Sequence, residues 1–250
     1  MPTRRENGCR RTGRSNEGAA KCSAPRALAA SVLAMSKHST VVGPELFAFI
    51  AARTIPEDSL LSDLRKASYE AGLPEIHIAA EQAAFLQILM RATKTRELVE
   101  VGTLGGYSAI AMARGMGEGG KILTLEIEEK HAAFAREWIS KSDVSGQIEV
   151  RVGDARDILP MLPAESADAV FLDADKEGYV TYLKESMRIL RSGGLLLADN
   201  VLAGGDVIAP ADTSSFTTSI RAFHEAISNT EGLTAITVPL GDGCLMAIKS

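Results

Sequence analysis

Leu98-Val99-Glu100-Val101-Gly102-Thr103-Leu104-Gly105-Gly106-Tyr107-Ser108 is the stretch whose reading decides the fold. A strand-length run, Glu97–Val101, enters a glycine-rich turn, and a helical pattern follows over Ser108–Gly115. Glycine at such a turn admits unusual dihedrals and lets a ligand approach the backbone closely. The dinucleotide fingerprint G-x-G-x-x-G is not met, because Leu104 stands where the second glycine belongs. Glu100, two residues before the first glycine, would repel a phosphate and suits a cation such as the amino group of an amino acid. Taken alone, the turn could equally be no more than a tight strand-to-helix connection.

The next strands narrow the choice. Lys121–Glu126 ends in an acid about twenty residues on, where a carboxylate can accept both ribose hydroxyls. Ile148–Val152 ends in Gly153-Asp154-Ala155, small residues against which a ring could lie. A ribose, a base and a charged amino-acid tail without phosphate describe S-adenosylmethionine and not NAD.

Two later strands end in acids. Ala169–Leu172 leads into Asp173-Ala174-Asp175-Lys176, and Leu195–Ala198 leads into Asp199-Asn200. Ligands of open α/β sheets sit beyond the carboxyl ends of the strands. Asp173, Asp199 and Asn200 would therefore meet at one rim and offer only oxygen, which selects Mg²⁺, Ca²⁺ or Mn²⁺ over zinc. Lys176 is close enough in sequence to act at the same spot. Asp and Asn also end strands simply because they start turns; the ordered set from Glu100 to Asp199 is what argues for a site.

From Glu97 onward strands and helices alternate: Ile122–Glu126, Glu129–Ser140, Glu149–Val152, a turn near Ile158, Ala169–Leu172, Gly178–Leu190, Leu195–Ala198 and a helix over Thr217–Thr230. That order predicts a parallel sheet with helices on both faces. Thr234–Pro239 and Cys244–Lys249, joined by Gly241-Asp242-Gly243, predict a hairpin and hence an antiparallel strand at one edge. Upstream, helices are expected from Pro44 (with Leu46, Phe47, Phe49 and Ile50), over Ser59–Ala71, and over Ala79–Ala92 with Phe85, Leu86, Ile88 and Leu89 buried.

The 250 residues suffice for one domain with a large core, and 46% hydrophobic content with a mean hydropathy of +0.05 is ordinary for a soluble protein. No apolar run approaches the ~20 residues of a membrane span. Residues 1–34 hold seven of the 27 basic and two of the 32 acidic side chains, so the remainder, with 20 and 30, is clearly acidic. Nucleic acid is therefore not an expected partner. Cys9, Cys22 and Cys244 form neither a disulfide framework nor a zinc spacing, which suits a reducing cytoplasm. His38, His77, His131 and His224 are scattered and read as surface or packing residues. Residues 1–34 read as a disordered basic extension; an organelle transit peptide and a start at Met35 are the other readings. Residues 35–250 then form the single folded domain.

Glu100-Val101-Gly102-Thr103-Leu104-Gly105-Gly106-Tyr107-Ser108, Leu172-Asp173-Ala174-Asp175-Lys176, Asp199-Asn200 and Leu240-Gly241-Asp242-Gly243 resemble the caffeoyl-CoA O-methyltransferase family, cation-dependent class I methyltransferases of catechol-type hydroxyls. The resemblance runs from about Val41 to the C-terminus. It implies a Rossmann-like, seven-stranded, mostly parallel sheet and a homodimer. It also implies cofactor contacts from Glu100, Gly102, Thr103, Ser108, Glu126, Ala155 and Asp175, metal ligation by Asp173, Asp199 and Asn200, and Lys176 as catalytic base beside Asp173. The chain departs from the family's pattern at Ala203-Gly204, in place of Trp-Asn, at Ile78, in place of a cofactor-contacting threonine, and at His38, in place of a substrate lysine. CoA-ester specificity does not carry over; a small hydroxylated aromatic with vicinal oxygens is the expected acceptor. The rivals are a metal-independent methyltransferase and a non-catalytic protein that binds S-adenosylmethionine. Lys176 either takes the phenol proton or stabilises the phenolate.

Overall fold

Alternation along the central strands splits their side chains between two cores, as a sheet covered by helices on both faces requires. The computed structural model describes residues 40–211 and 214–250. The expectations for residues 1–34 and for His38 lie outside the described residues. The chain divides into two units, Met1–Glu45 and Leu46–Ser250, and the second contains every other candidate site residue.

The described helices are α1 (Pro44–Ala51), α2 (Ser59–Glu70), α3 (Ala80–Ala92), α4 (Tyr107–Met116), α5 (Glu129–Ser140), α6 (Ala155–Ile158), α7 (Tyr179–Ile189) and α8 (Ser215–Asn229). The strands are β1 (Glu97–Val101), β2 (Lys121–Glu126), β3 (Ile148–Val152), β4 (Ala167–Leu172), β5 (Leu190–Ala198), β6 (Leu233–Val238) and β7 (Cys244–Lys249). They form one sheet in the order β3-β2-β1-β4-β5-β7-β6. The pairs among β1 to β5 are parallel, and β7 runs antiparallel to both β5 and β6. The expected class I, Rossmann-like sheet with an antiparallel hairpin at its edge is therefore the observed one.

Val99, Val101, Val170, Leu172 and Leu196 face α7 and α8, where they meet Tyr179, Tyr182, Ile220 and Phe223. Leu98, Ala169, Phe171, Leu195 and Leu197 face the other way and meet Leu64, Leu86, Ile110 and Ala135 of α2 to α5. Strand order turns between β1 and β4: β1 continues to β2 on one side, and β4 to β5 on the other. Such a switch point opens a crevice at the carboxyl ends. Backbone bonds carry the row beyond the strands: Gly102 N to Leu125 O at 3.0 Å, Gly153 N to Glu126 O at 2.8 Å, Asp173 N to Val101 O and Asp199 N to Leu172 O, both at 2.9 Å.

Three local differences from the sequence reading bear on the site. First, the buried face of α3 is Gln82, Ala83, Leu86 and Met90, whereas Ile88 is exposed. The helix is rotated because it packs closely on α4: a Cβ at Gly115 would stand 2.3 Å from the Gln87 carbonyl oxygen. Second, β5 starts at Leu190, five residues early, through an irregular register at Ala167 and Ala169. Third, Lys176–Gly178 forms a separate 3₁₀ turn before α7, and Ala203–Ile208 forms another with Gly204 and Gly205 at positive φ.

Candidate active site

The glycine-rich turn is built by steric need. Gly102 has φ +100°, and a Cβ there would lie 2.1 Å from the Asp173 carbonyl oxygen, so only glycine lets the ends of β1 and β4 meet. Gly106, at φ +83°, starts α4. Beyond the turn lies a cavity of about 950 Å³. It is bordered by Gly102, Thr103 and Ser108 of the β1 turn, Glu126 of β2, Ala155 after β3, Asp173, Asp175 and Lys176 after β4, and Asp199 and Asn200 after β5. Ten of the eleven expected residues thus border one cavity, and the eleventh, Glu100, lies behind its wall.

Glu100 is fully buried in β1 and does not reach the cavity surface. The Ser108 hydroxyl, which does, donates to its Oε1 at 2.5 Å. Its Oε2 has no hydrogen-bond partner. Burial pushes this carboxyl up to about 8, against the pull of Ser108 and Thr124 and with help from the charges of Asp173 and Glu126. An orphaned carboxylate oxygen one side chain beneath a cavity fits a cationic ligand group. Thr103 bonds Thr124 at 2.6 Å, hydroxyl to hydroxyl.

At the β2 end, Glu126 accepts from the Leu104 N–H at 2.7 Å through Oε2 and from the Glu128 N–H at 3.0 Å through Oε1. Both oxygens keep a lone pair for a diol. His131 Nδ1 stands 3.6 Å from Oε1. Asp154 caps α6, accepting from the Arg156 N–H at 2.8 Å, and so presents Ala155 to the cavity. Asp175 accepts from the Tyr182 hydroxyl at 2.5 Å.

At the other end, Asp173 and Asp199 terminate adjoining strands. Both carboxyls are raised: Asp173 by burial against the pull of Lys176, and Asp199 to about 6 by burial and then by the charge of Asp173. Asp199 Oδ1 is buried without a partner. Asn200 holds φ +58°, a left-handed conformation that Asn tolerates better than most residues. Among the described residues no group of three His, Cys, Asp or Glu could hold a metal ion; the expected triad contains two acids and an amide. Its donors are all oxygen, two of them raised acids on one wall and one an orphan, which fits a hard divalent cation.

Lys176 is almost fully enclosed. Its Nζ donates to Tyr179 Oη at 2.6 Å and to Asp173 Oδ1 at 3.3 Å. The Tyr179 hydroxyl in turn donates to the carbonyls of Leu172 and Asp199, each at 3.0 Å, and so ties together the strand ends that carry the two acids.

Gln82, His131, Phe216 and Asp242 are among the cavity residues that the sequence reading did not assign to the site. Gln82 left a trace, a polar side chain in register with the buried Leu86 and Met90. Ala203, which stands where the family pattern has Trp, is buried and does not border the cavity, whereas Phe216 of α8 does; the Gly204 N–H donates to Asp242 Oδ1 at 2.7 Å.

The family described as O-methyltransferase matches residues 51–250. A catechol O-methyltransferase from Mycobacterium tuberculosis is 39% identical over 181 residues, 72% of this chain and 82% of that protein. One from Niastella koreensis is 39% identical over 171 residues, 67% and 77% of the two chains. The O-methyltransferase from Bacillus cereus, solved in complex with SAH, superposes with a TM-score of 0.76 at 34% identity, over 81% of this chain and 96% of that one. By its match over residues 51–250 and by relatives 39% identical to it, the chain belongs to the O-methyltransferase family, enzymes that draw their methyl group from S-adenosylmethionine.

Proposed function

We propose that residues 35–250 act as one cation-dependent O-methyltransferase domain, and that the acceptor is a small aromatic with two vicinal hydroxyls. The observation that carries this reading is the pair of raised acids, Asp173 and Asp199, on one cavity wall with an unpartnered Asp199 Oδ1 and an enclosed Lys176. The relatives named catechol O-methyltransferase support the acceptor class.

Glu126 receives the ribose hydroxyls, Ala155 and Asp175 flank the base side, and Gly102, Thr103 and Ser108, backed by Glu100, receive the amino-acid end. Asp173, Asp199 and Asn200 hold the divalent cation, with Mg²⁺ the expected ion and Ca²⁺ or Mn²⁺ as alternatives. Bound there, such a cation lowers the pKa of a coordinated hydroxyl and orients the diol. A phenol of pKa near 10 is otherwise a poor nucleophile at neutral pH. Lys176, held beside Asp173, would act on the same hydroxyl: as an ammonium it would stabilise the phenolate, and as an amine it would take the proton. The phenolate oxygen then bonds to the methyl carbon as the carbon–sulfur bond breaks, leaving the methyl ether and S-adenosylhomocysteine. The walls supply alignment, since an in-line approach of about 3 Å must be held.

Acids outnumber cations toward the acceptor end: Asp173, Glu177, Asp199 and Asp242 line the cavity with Lys176. A polyanionic CoA ester is disfavoured by that charge. The exposed Phe47, Phe49 and Ile50 of α1 support a homodimer. Among the described residues no helix is long and apolar enough to cross a membrane, which accords with a cytoplasmic site.

The test is methyl transfer to catechol with and without EDTA, and in Asp199→Ala. Turnover should vanish in chelator, return with Mg²⁺, and be lost in the variant while cofactor binding survives. Full activity in excess chelator would eliminate the cation.

A further inference from the structure

Gln82 lies at the start of the buried stripe of α3 and is 2% exposed. Its Nε2 has no hydrogen-bond partner, although the residue borders the cavity. An amide N–H held out of water without an acceptor is costly, and native proteins leave few of them. The amide oxygen faces the β6–β7 turn, where a Cβ at Gly241 would come within 2.8 Å of Oε1. The same cavity holds a second unpaired polar atom, Asp199 Oδ1. The Gln82 amide neighbours the Asp199 carboxyl and favours its ionised form, yet neither Nε2 nor Oδ1 closes a hydrogen bond; a hydroxyl between them, accepting from Nε2–H and donating to Oδ1, satisfies both.

The cofactor is the poorer candidate for that ligand. Its hydroxyls belong at Glu126 on β2, whereas Gln82 neighbours Asp199 after β5 and Gly241 after β6, across the switch point. We infer that Gln82 is an acceptor-binding residue: its Nε2–H donates to the diol oxygen that is not methylated, so the site prefers ortho-diphenols to monophenols. A monophenol has one oxygen, which goes to the reacting position, and leaves Nε2 bare. A diol covers it. The inference rests on the catechol-type reading above and adds a protein group that reads the second hydroxyl.

The experiment compares Gln82→Met, similar in length but without a polar donor, with the wild type. The probes are 4-nitrocatechol and 4-nitrophenol, titrated by absorbance onto protein holding S-adenosylhomocysteine and Mg²⁺. The substitution should weaken 4-nitrocatechol about tenfold, the scale of one neutral hydrogen bond. Affinity for 4-nitrophenol and for S-adenosylhomocysteine should stay unchanged. A structural defect would weaken both phenols together, and that result overturns the inference. So does an unchanged ratio of the two phenols, including one accompanied by a higher Mg²⁺ requirement, which would assign Gln82 to Asp199 instead. If Gln82→Met does not fold, Gln82→Leu carries the same comparison. A wild type that neither binds nor methylates any catechol refutes the parent reading and this one with it. A wild type that does both, beside an unaffected Gln82→Met, refutes this one alone.

Discussion

Replacing Glu100 by Gln probes the acid beneath the cofactor turn. Burial holds the Glu100 carboxyl at about 8, against an ordinary 4.5. The folded chain therefore keeps a proton that the unfolded chain has released between those values. Stability contributed by the protonated group is complete below pH 4.5 and is lost as pH rises through about 8. At about 1.4 kcal/mol per pH unit, the interval from 4.5 to about 8 sets a ceiling of about 5 kcal/mol on that loss. Glutamine keeps the shape and has no proton to release. The stability of Glu100→Gln minus that of the wild type should be level at low pH, climb by a few kcal/mol across the window, and level off above it. Urea unfolding at a series of pH values, in chelator and without cofactor, measures the difference. Subtraction removes titrations common to both proteins, such as Asp199, raised to about 6, and His77, which burial and Arg65 lower to about 4. A difference curve flat to within about 0.5 kcal/mol, the usual effect of an inconsequential substitution, would show that Glu100 is solvated or already paired.

Glu126→Ala removes the acceptor of two backbone N–H groups as well as the proposed ribose contacts. Affinity for S-adenosylmethionine should fall by about 1–3 kcal/mol, and calorimetry giving the wild-type Kd would end that assignment. Tyr179→Phe keeps the ring in the core but removes the hydroxyl that anchors Lys176 and spans the carbonyls of Leu172 and Asp199. It should lower stability by about 1–3 kcal/mol and lower kcat with little change in cofactor Kd; an unaltered kcat in a folded variant would mean that Lys176 needs no anchor.

The fold was legible because its signals are local. Apolar runs such as Val170-Phe171-Leu172 and Leu195-Leu196-Leu197 are too short for helices and too continuous for a half-exposed sheet, so they read as buried parallel strands. The site was legible for a related reason. A parallel sheet gathers its strand ends on one edge, so acids that follow strands, such as Glu126, Asp173 and Asp199, must come together whatever the details of packing.

What lay beyond the sequence depends on rotation and on contacts between distant segments. Periodicity marked α3 as amphipathic but did not set its angle about its own axis; the close approach of Gly115 to Gln87 did, turning Ile88 outward and Gln82 into the cavity. Ala203-Gly204 lies next to Asn200 in the chain yet off the wall, while Phe216, from a separate helix, lines it. Glu100 was recognisable as an acid at the right place, but its seclusion behind Ser108 follows from the pleat, which points it into the same core as Leu98. Lys176 was recognisable too, but its anchor was not. A tyrosine three residues on could point anywhere until α7 packs against β4 and β5 and places its hydroxyl between two main-chain carbonyls. The sequence by itself determined which residues stand at the strand ends, because strand length and order are written locally; tertiary packing decided which side chains face one another across the cavity, because that depends on how whole helices rotate to fill the core.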